Sequence, residues 1–322
     1  MGSWLGDVRY AFRHLGKSPG FAAAAVAVLA LGIGLNAGMF SVVYAIGFAG
    51  RAFPEPAQIV QLYSSRTSEP DSYRAFSHAA YEQLAATDAF TGVLAHVPAL
   101  VGVTEGNESR RTFGVIVSRN YFDVLGVPVA AGRGFTAEES RPGQDVPVVV
   151  ATWAFWQRHD FDPALVGSTV RVNERPFTVV GITPRGFTGT MSVFGPELFF
   201  PLGVFHSVAN VFDGGVAPRL DRPDVFQLFL VGRLAPGVSI AAAETRLQPA
   251  AAALTAAMPV EHRDARLTLA LLPRFGTSTS PMNESAVELL GAVMLGLTAA
   301  VLLTVCLNLA AMLLARGRAR RK

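Results

Sequence analysis

Residues 18–50 read SPGFAAAAVAVLALGIGLNAGMFSVVYAIGFAG, and residues 289–315 read LLGAVMLGLTAAVLLTVCLNLAAMLLA. Neither stretch holds a charged side chain. Crossing a hydrocarbon core of about 30 Å takes about 20 helical residues, at a rise of about 1.5 Å each. Both runs exceed that length, so the sequence predicts two transmembrane helices, over 21–48 and 287–315. A cleaved leader would have an apolar region of about 7–15 residues and a small-residue cleavage site. The first run is longer, and Gly47-Phe48-Ala49-Gly50 does not fit such a site.

The charge around the two runs sets their orientation. Arg9, Arg13 and Lys17 precede the first run, and Arg316, Arg318, Arg320, Arg321 and Lys322 follow the second. Basic flanks stay on the cytoplasmic side. These residues are therefore topology anchors, and residues 52–285 are expected in the periplasm of a bacterial inner membrane. Asp7 offsets one of these eight charges, so with +3 overall and +7 at the two ends, residues 18–315 carry −4. A mildly acidic body is a poor phosphate-binding surface, so nucleic acid is excluded as a partner. The 16% of charged residues also falls short of the roughly 25% usual in soluble domains.

Leu5, Val8, Phe12 and Leu15 share one helical stripe, which predicts an amphipathic helix over 1–20 on the cytoplasmic membrane surface. A basic tail, 316–322, closes the chain. Within the first span, Gly34-Leu35-Asn36-Ala37-Gly38 is a G-x-x-x-G. In lipid, helices associate through close backbone approach and side-chain hydrogen bonds, because apolar burial gains nothing there. Gly34, Asn36 and Gly38, with Asn308 in the second span, are the expected helix-packing residues.

The segment between the spans patterns as a folded α+β domain. Strands are predicted at Gln58–Ser64, Phe90–Val103, Arg111–Val117, Val225–Leu234 and Arg266–Leu272. Helices are predicted at Phe76–Ala86, Ser118–Leu125 and, capped by Ser239, Ser239–Ala257. From Gly126 onward, glycine and proline recur between short strands at Val146–Ala151, Val170–Val172, Phe177–Ile182 and Leu198–Pro201. Helix Trp153–His159 interrupts them, Asn173-Glu174 turns a hairpin, and Gly203–Arg222 reads as loop. Strand–helix–strand at both ends gives a split βαβ sheet, porter-like, from 52–125 and 225–285. A β-rich subdomain, 126–224, is inserted into it.

Motifs for chemistry are missing from the sequence. There is no Walker loop, no H-E-x-x-H and no G-x-S-x-G. His78, His96, His159, His206 and His262 lack ligand spacing, and Cys306 is the sole cysteine. No catalytic, cofactor or metal site is expected, and the chain is not read as an enzyme.

The opening DVRYAFRHLGKSPGF (7–21) and LALGIGLN (29–36) resemble the MacB-like ABC transporter permeases. The branch called acidobacterial duplicated orphan permeases is the most similar. VSRNYFDVLGV (117–127), AGRGF (131–135), FTVVGITP (177–184) and LAPGV (234–238) are similar to its periplasmic core domain. LNLAAMLLAR (307–316) resembles the start of its FtsX-like membrane region. The resemblance implies a permease that couples a cytoplasmic ABC ATPase to a periplasmic domain in export or mechanotransmission. It also implies that other permease segments or subunits pack against the two helices. Family members carry at least four spans, so the expected reading is a truncated permease. The alternative is a two-span periplasmic sensor lacking its output module.

Overall fold

The computed structural model describes residues 19–47, 53–65, 69, 71–106, 108–190, 195–209, 219–222, 224–257, 266–271, 279, 281 and 284–319. The amphipathic stripe before Pro19, the anchors Arg9, Arg13 and Lys17, and Arg320, Arg321 and Lys322 lie outside them. The chain divides into two compact units, Met1–Ala49 with Asn283–Lys322, and Gly50–Met282.

The first unit holds α1 (Pro19–Gly47) and a second helix near the C-terminus. The second unit begins with β1 (Ile59–Ser65) and β2 (Tyr73–Arg74), then α2 (His78–Ala85), β3 (Phe90–Glu105), β4 (Glu108–Val117) and α3 (Tyr121–Leu125). Next come β5 (Ala131–Gly132), β6 (Val148–Ala151), α4 (Trp153–Arg158), β7 (Thr169–Val172), β8 (Arg175–Ile182) and β9 (Leu198–Pro201). It closes with α5 (Phe205–Val208), β10 (Phe229–Leu234), α6 (Ile240–Ala257) and β11 (Arg266–Leu271). The terminal helix, α7, is Glu284–Ala319.

The strands β11-β1-β10-β3 form an open antiparallel sheet. Each of its two strand–helix–strand pieces inserts a strand between those of the other. In the first piece α2 joins β1 to β3, and in the second α6 joins β10 to β11. This is an interleaved split βαβ arrangement. The apolar residues alternate as a two-sided sheet requires. Val60, Leu62, Val93, Ala95 and Leu230 pack with Ala80 and Leu84 of α2 and Ala243 and Leu247 of α6. Ile59, Leu94 and Val231 point to the other face, where Tyr121, Val124 and Leu125 of α3 cover them. Ser77 caps α2 through its hydroxyl, which accepts from the Ala80 N–H at 3.3 Å, and Ser239 does the same for Ala242 at 3.2 Å.

A second group of strands closes on itself. β3 pairs β4, β4 pairs β9 in parallel, β9 pairs β6, β6 pairs β8 in parallel, β8 pairs β7, and β7 returns to β3. The result is a six-stranded barrel, which leaves no free edge among these strands. Val101, Val103, Ile116, Val149, Val172, Phe177, Val179 and Phe200 belong to the apolar cluster of its interior, and α4 adds Phe155. The ring takes β3 and β4 from before residue 126 and the rest from after it. Asn173 and Glu174, at φ 47° and 65°, make the turn of the β7–β8 hairpin, the double positive-φ turn that suits strand twist.

One expected loop is structured. Leu202–Val204 is a 3-10 turn that runs into α5. Leu202, Val204, Phe205 and Val208 are all buried there. Gly203 sits inside this turn because a Cβ would lie 2.2 Å from the Glu139 carbonyl oxygen. The glycine that suggested a loop is there for close backbone approach.

Candidate functional site

The two helices of the first unit carry the packing residues read from the sequence. Among the described residues one helix segment, Gly291–Ala311 in α7, is long and apolar enough to cross a membrane, and the apolar stretch of α1, Val26–Ser41, is shorter. α1 and α7 contact each other. Gly32 faces α7 closely: a Cβ there would meet a Val305 methyl at 2.7 Å. The Asn36 amide donates to the Gly32 carbonyl of its own helix at 2.7 Å. Gly34 and Gly38 have no neighbouring atom within 4 Å of a built Cβ, and Asn308 is exposed. The contact glycine is therefore Gly32, four residues before Asn36 on the same helix face. Arg316 and Arg318 lie in the last turns of α7, and their side chains lie outside the described set.

In the second unit the polar groups serve the fold. The motif AGRGF and the TAEE that follows build a clamp. Arg133 donates to both carboxylate oxygens of Glu139, at 2.9 and 2.7 Å. The Thr136 N–H donates to Glu139 at 2.8 Å, and the Glu139 N–H donates back to the Thr136 hydroxyl at 3.2 Å. The exchange is a capping box. Burial pushes the Glu139 carboxyl up, while the Arg133 and Thr136 bonds outweigh it and hold the group below its ordinary value. At the far end of the β3–β4 hairpin, Glu197 lies 2.7 Å from Arg110 and 2.6 Å from Arg158, and Glu105 lies 3.2 Å from His159.

The motif VSRNYF is the polar joint between the sheet and α3. The Ser118 N–H donates to the Ala95 carbonyl at 2.9 Å, and its hydroxyl accepts from the Ala95 N–H at 3.0 Å. The same hydroxyl donates to Asn120 Oδ1 at 2.7 Å. The Asn120 amide donates to the Val93 carbonyl at 2.8 Å, and the Tyr81 hydroxyl of α2 donates to Asn120 Oδ1 at 3.3 Å. Tyr121 is fully buried and its hydroxyl accepts from the Thr190 N–H at 2.9 Å. Burial pushes that phenol up to about 12, against the two bonds from Thr190.

His96 stands at the same joint. Its ring is fully buried, neither nitrogen has a hydrogen-bond partner, and it stacks on Phe229 with centroids 5.5 Å apart. Burial drives its pKa down to about 3. The unfolded chain takes up this proton below about pH 6.5 and the folded chain does not, so stability falls as pH drops through that window. We expect His96→Phe to flatten the acid limb of thermal stability by about 1 kcal/mol per pH unit between pH 6 and 4. Glu139 also loses stabilisation at low pH, but in both proteins alike. Parallel acid limbs for wild type and variant would show that His96 is solvated or paired.

Among the described residues no group of three His, Cys, Asp or Glu side chains converges as a metal site. A cleft of about 170 Å³ is lined by Asp145, Phe205, His206 and Arg219, among others. Asp145 is occupied by Arg175, which donates to both of its carboxylate oxygens at 2.8 Å.

No curated protein matches the sequence. Among solved structures, the periplasmic region of MacB from Actinobacillus actinomycetemcomitans aligns with 16% identity and a TM-score of 0.46, over 77% of this chain and 94% of that one. The extracellular domain of the noncanonic ABC-type transporter YknZ from Gram-positive bacteria aligns with 14% identity and a TM-score of 0.46, over 66% and 99%. A domain of a putative permease protein from Porphyromonas gingivalis aligns with 13% identity and a TM-score of 0.49, over 73% and 98%. The family described as MacB-like periplasmic core domain matches residues 22–250, well over half of the chain, and the chain belongs to that family of transporter permease components.

Proposed function

We propose that the chain is the membrane-anchored permease part of an ABC-type export or mechanotransmission system. In this reading α1 and α7 both span the inner membrane, residues 52–285 stand in the periplasm, and a cytoplasmic ABC ATPase supplies the energy. One observation carries the membrane part. Among the described residues of the first unit, thirteen large apolar side chains are exposed, among them Leu31 at 75%, Leu289 at 65% and Leu314 at 67%. Among the described residues of the far larger second unit, three are exposed, Leu100, Phe113 and Phe161. Apolar surface of that extent is stable only against lipid or other helices. Family membership and the absence of a Walker loop from the sequence support the dependence on a separate ATPase.

The open faces of Gly34 and Gly38 are where further permease helices would pack. Gly34→Leu with Gly38→Leu should weaken that association by about 1–2 kcal/mol, because larger side chains separate the backbones. Crosslinking in native membranes measures it. An unchanged crosslinking yield in the double variant would remove these glycines from the interface.

A further inference from the structure

We propose that Ser118 and Asn120 form a brace that makes the open sheet and the barrel move as one body. β3 is the strand that both parts share, and its pairing changes at one residue. β10 pairs with β3 up to His96, where Phe229 is the partner. β4 pairs with β3 from His96 onward, with Val117 opposite it. The two ladders overlap at His96 alone. A shared strand with a one-residue overlap has little backbone hydrogen bonding to resist bending there. Pro98, two residues further, contributes no N–H to a ladder.

Side chains continue the ladder that β4 abandons. Ser118 exchanges two bonds with the Ala95 backbone, as a strand residue would. Asn120 reaches one step further, to the Val93 carbonyl. Asn120 also takes the Tyr81 hydroxyl, which ties α2 to the same point. Ser118 is 1% exposed, so water does not compete for its bonds. Apolar packing alone could slide; a buried, directional network has one geometry. A displacement applied at the open sheet then arrives at the barrel undiminished. The brace belongs to the second unit and does not depend on the permease reading.

The test is a pair of distance distributions from double electron–electron resonance on the full chain in lipid nanodiscs, with Cys306→Ser as background. Spin labels at Glu82→Cys on α2 and Gln157→Cys on α4 report across the joint, and labels at Glu82→Cys and Gln248→Cys report within the open-sheet part. All three sites are exposed. The brace predicts that both pairs are equally narrow in the parent. It predicts that Ser118→Ala with Asn120→Ala broadens the cross-joint pair about twofold and leaves the control pair unchanged. Ser118→Thr, which keeps the hydroxyl, should remain narrow. A cross-joint pair already broad in the parent, or unchanged in the double variant, overturns the proposal. If the double variant broadens the control pair too, Asn120→Asp decides. It loses the donor to Val93 but keeps the acceptor, and an unchanged cross-joint width there overturns the brace.

Discussion

Gly132→Ala should cost the second unit about 3 kcal/mol or more, a fall in Tm of roughly 6–12 °C. Two causes act together. Gly132 has φ +71°, a region an L side chain enters only with strain. A Cβ there would also lie 2.2 Å from the Val180 carbonyl oxygen and 2.8 Å from Gly181 Cα. Both neighbours are backbone atoms of β8, so neither can step aside without opening the β5–β8 pairing. Gly186 separates the two causes. It has φ +79° but nothing within 4 Å, so Gly186→Ala meets the strain alone and should cost about 1 kcal/mol. Equal losses for the two variants would mean that the close approach of β5 to β8 does not exist in solution.

Phe199→Ala should cost about 4 kcal/mol. Phe199 is fully buried and its ring centroid lies 5.6 Å from Tyr121, 5.5 Å from Phe122 and 5.8 Å from Phe187. Those rings fix α3 against β9, and α3 in turn covers Ile59, Leu94 and Val231 of the open sheet. Removing the ring leaves a cavity that the stiff β9 backbone cannot close, so the transfer loss and the cavity loss add. Chemical denaturation measures the difference, and a loss below about 1 kcal/mol would show that the aromatic cluster is loosely packed.

Much of the fold was readable from local patterns. The β3–β4 hairpin showed itself as two neighbouring strand runs, Phe90–Val103 and Arg111–Val117, and the β7–β8 hairpin through Asn173-Glu174. α6 announced its start through Ser239. These signals lie within a few residues of the structure they specify. The closure of the barrel had no such signal. β4 meets β9 and β6 meets β9 across long stretches of chain, and alternation marks a strand without naming its partner. The two-residue strands β2 and β5 are too short to carry a period. The turn at Leu202–Val208 was hidden by Gly203, although Leu202, Val204, Phe205 and Val208 carry the apolar face.

The expected packing residues of the two apolar helices show the same limit. Composition picks out Gly34, Asn36 and Gly38 as small and polar positions in an apolar helix. It does not say which face meets which partner. Gly32 meets Val305, while Gly34 and Gly38 look outward. Choosing between them from sequence would need the phase of α1 relative to α7, which depends on contacts far apart in the chain.

In the proposed topology one folded unit stands outside the cytoplasm between two membrane-spanning helices whose flanking basic ends are inside. Reporter fusions test it most directly. Alkaline phosphatase inserted at Gly106, the exposed tip of the β3–β4 hairpin, should be active, because the enzyme matures only outside the cytoplasm. Fused after Lys322 it should be inactive, while a green fluorescent protein at the same place should fluoresce. An active phosphatase after Lys322, or an inactive one at Gly106 in a folded and membrane-inserted protein, would rule out this topology.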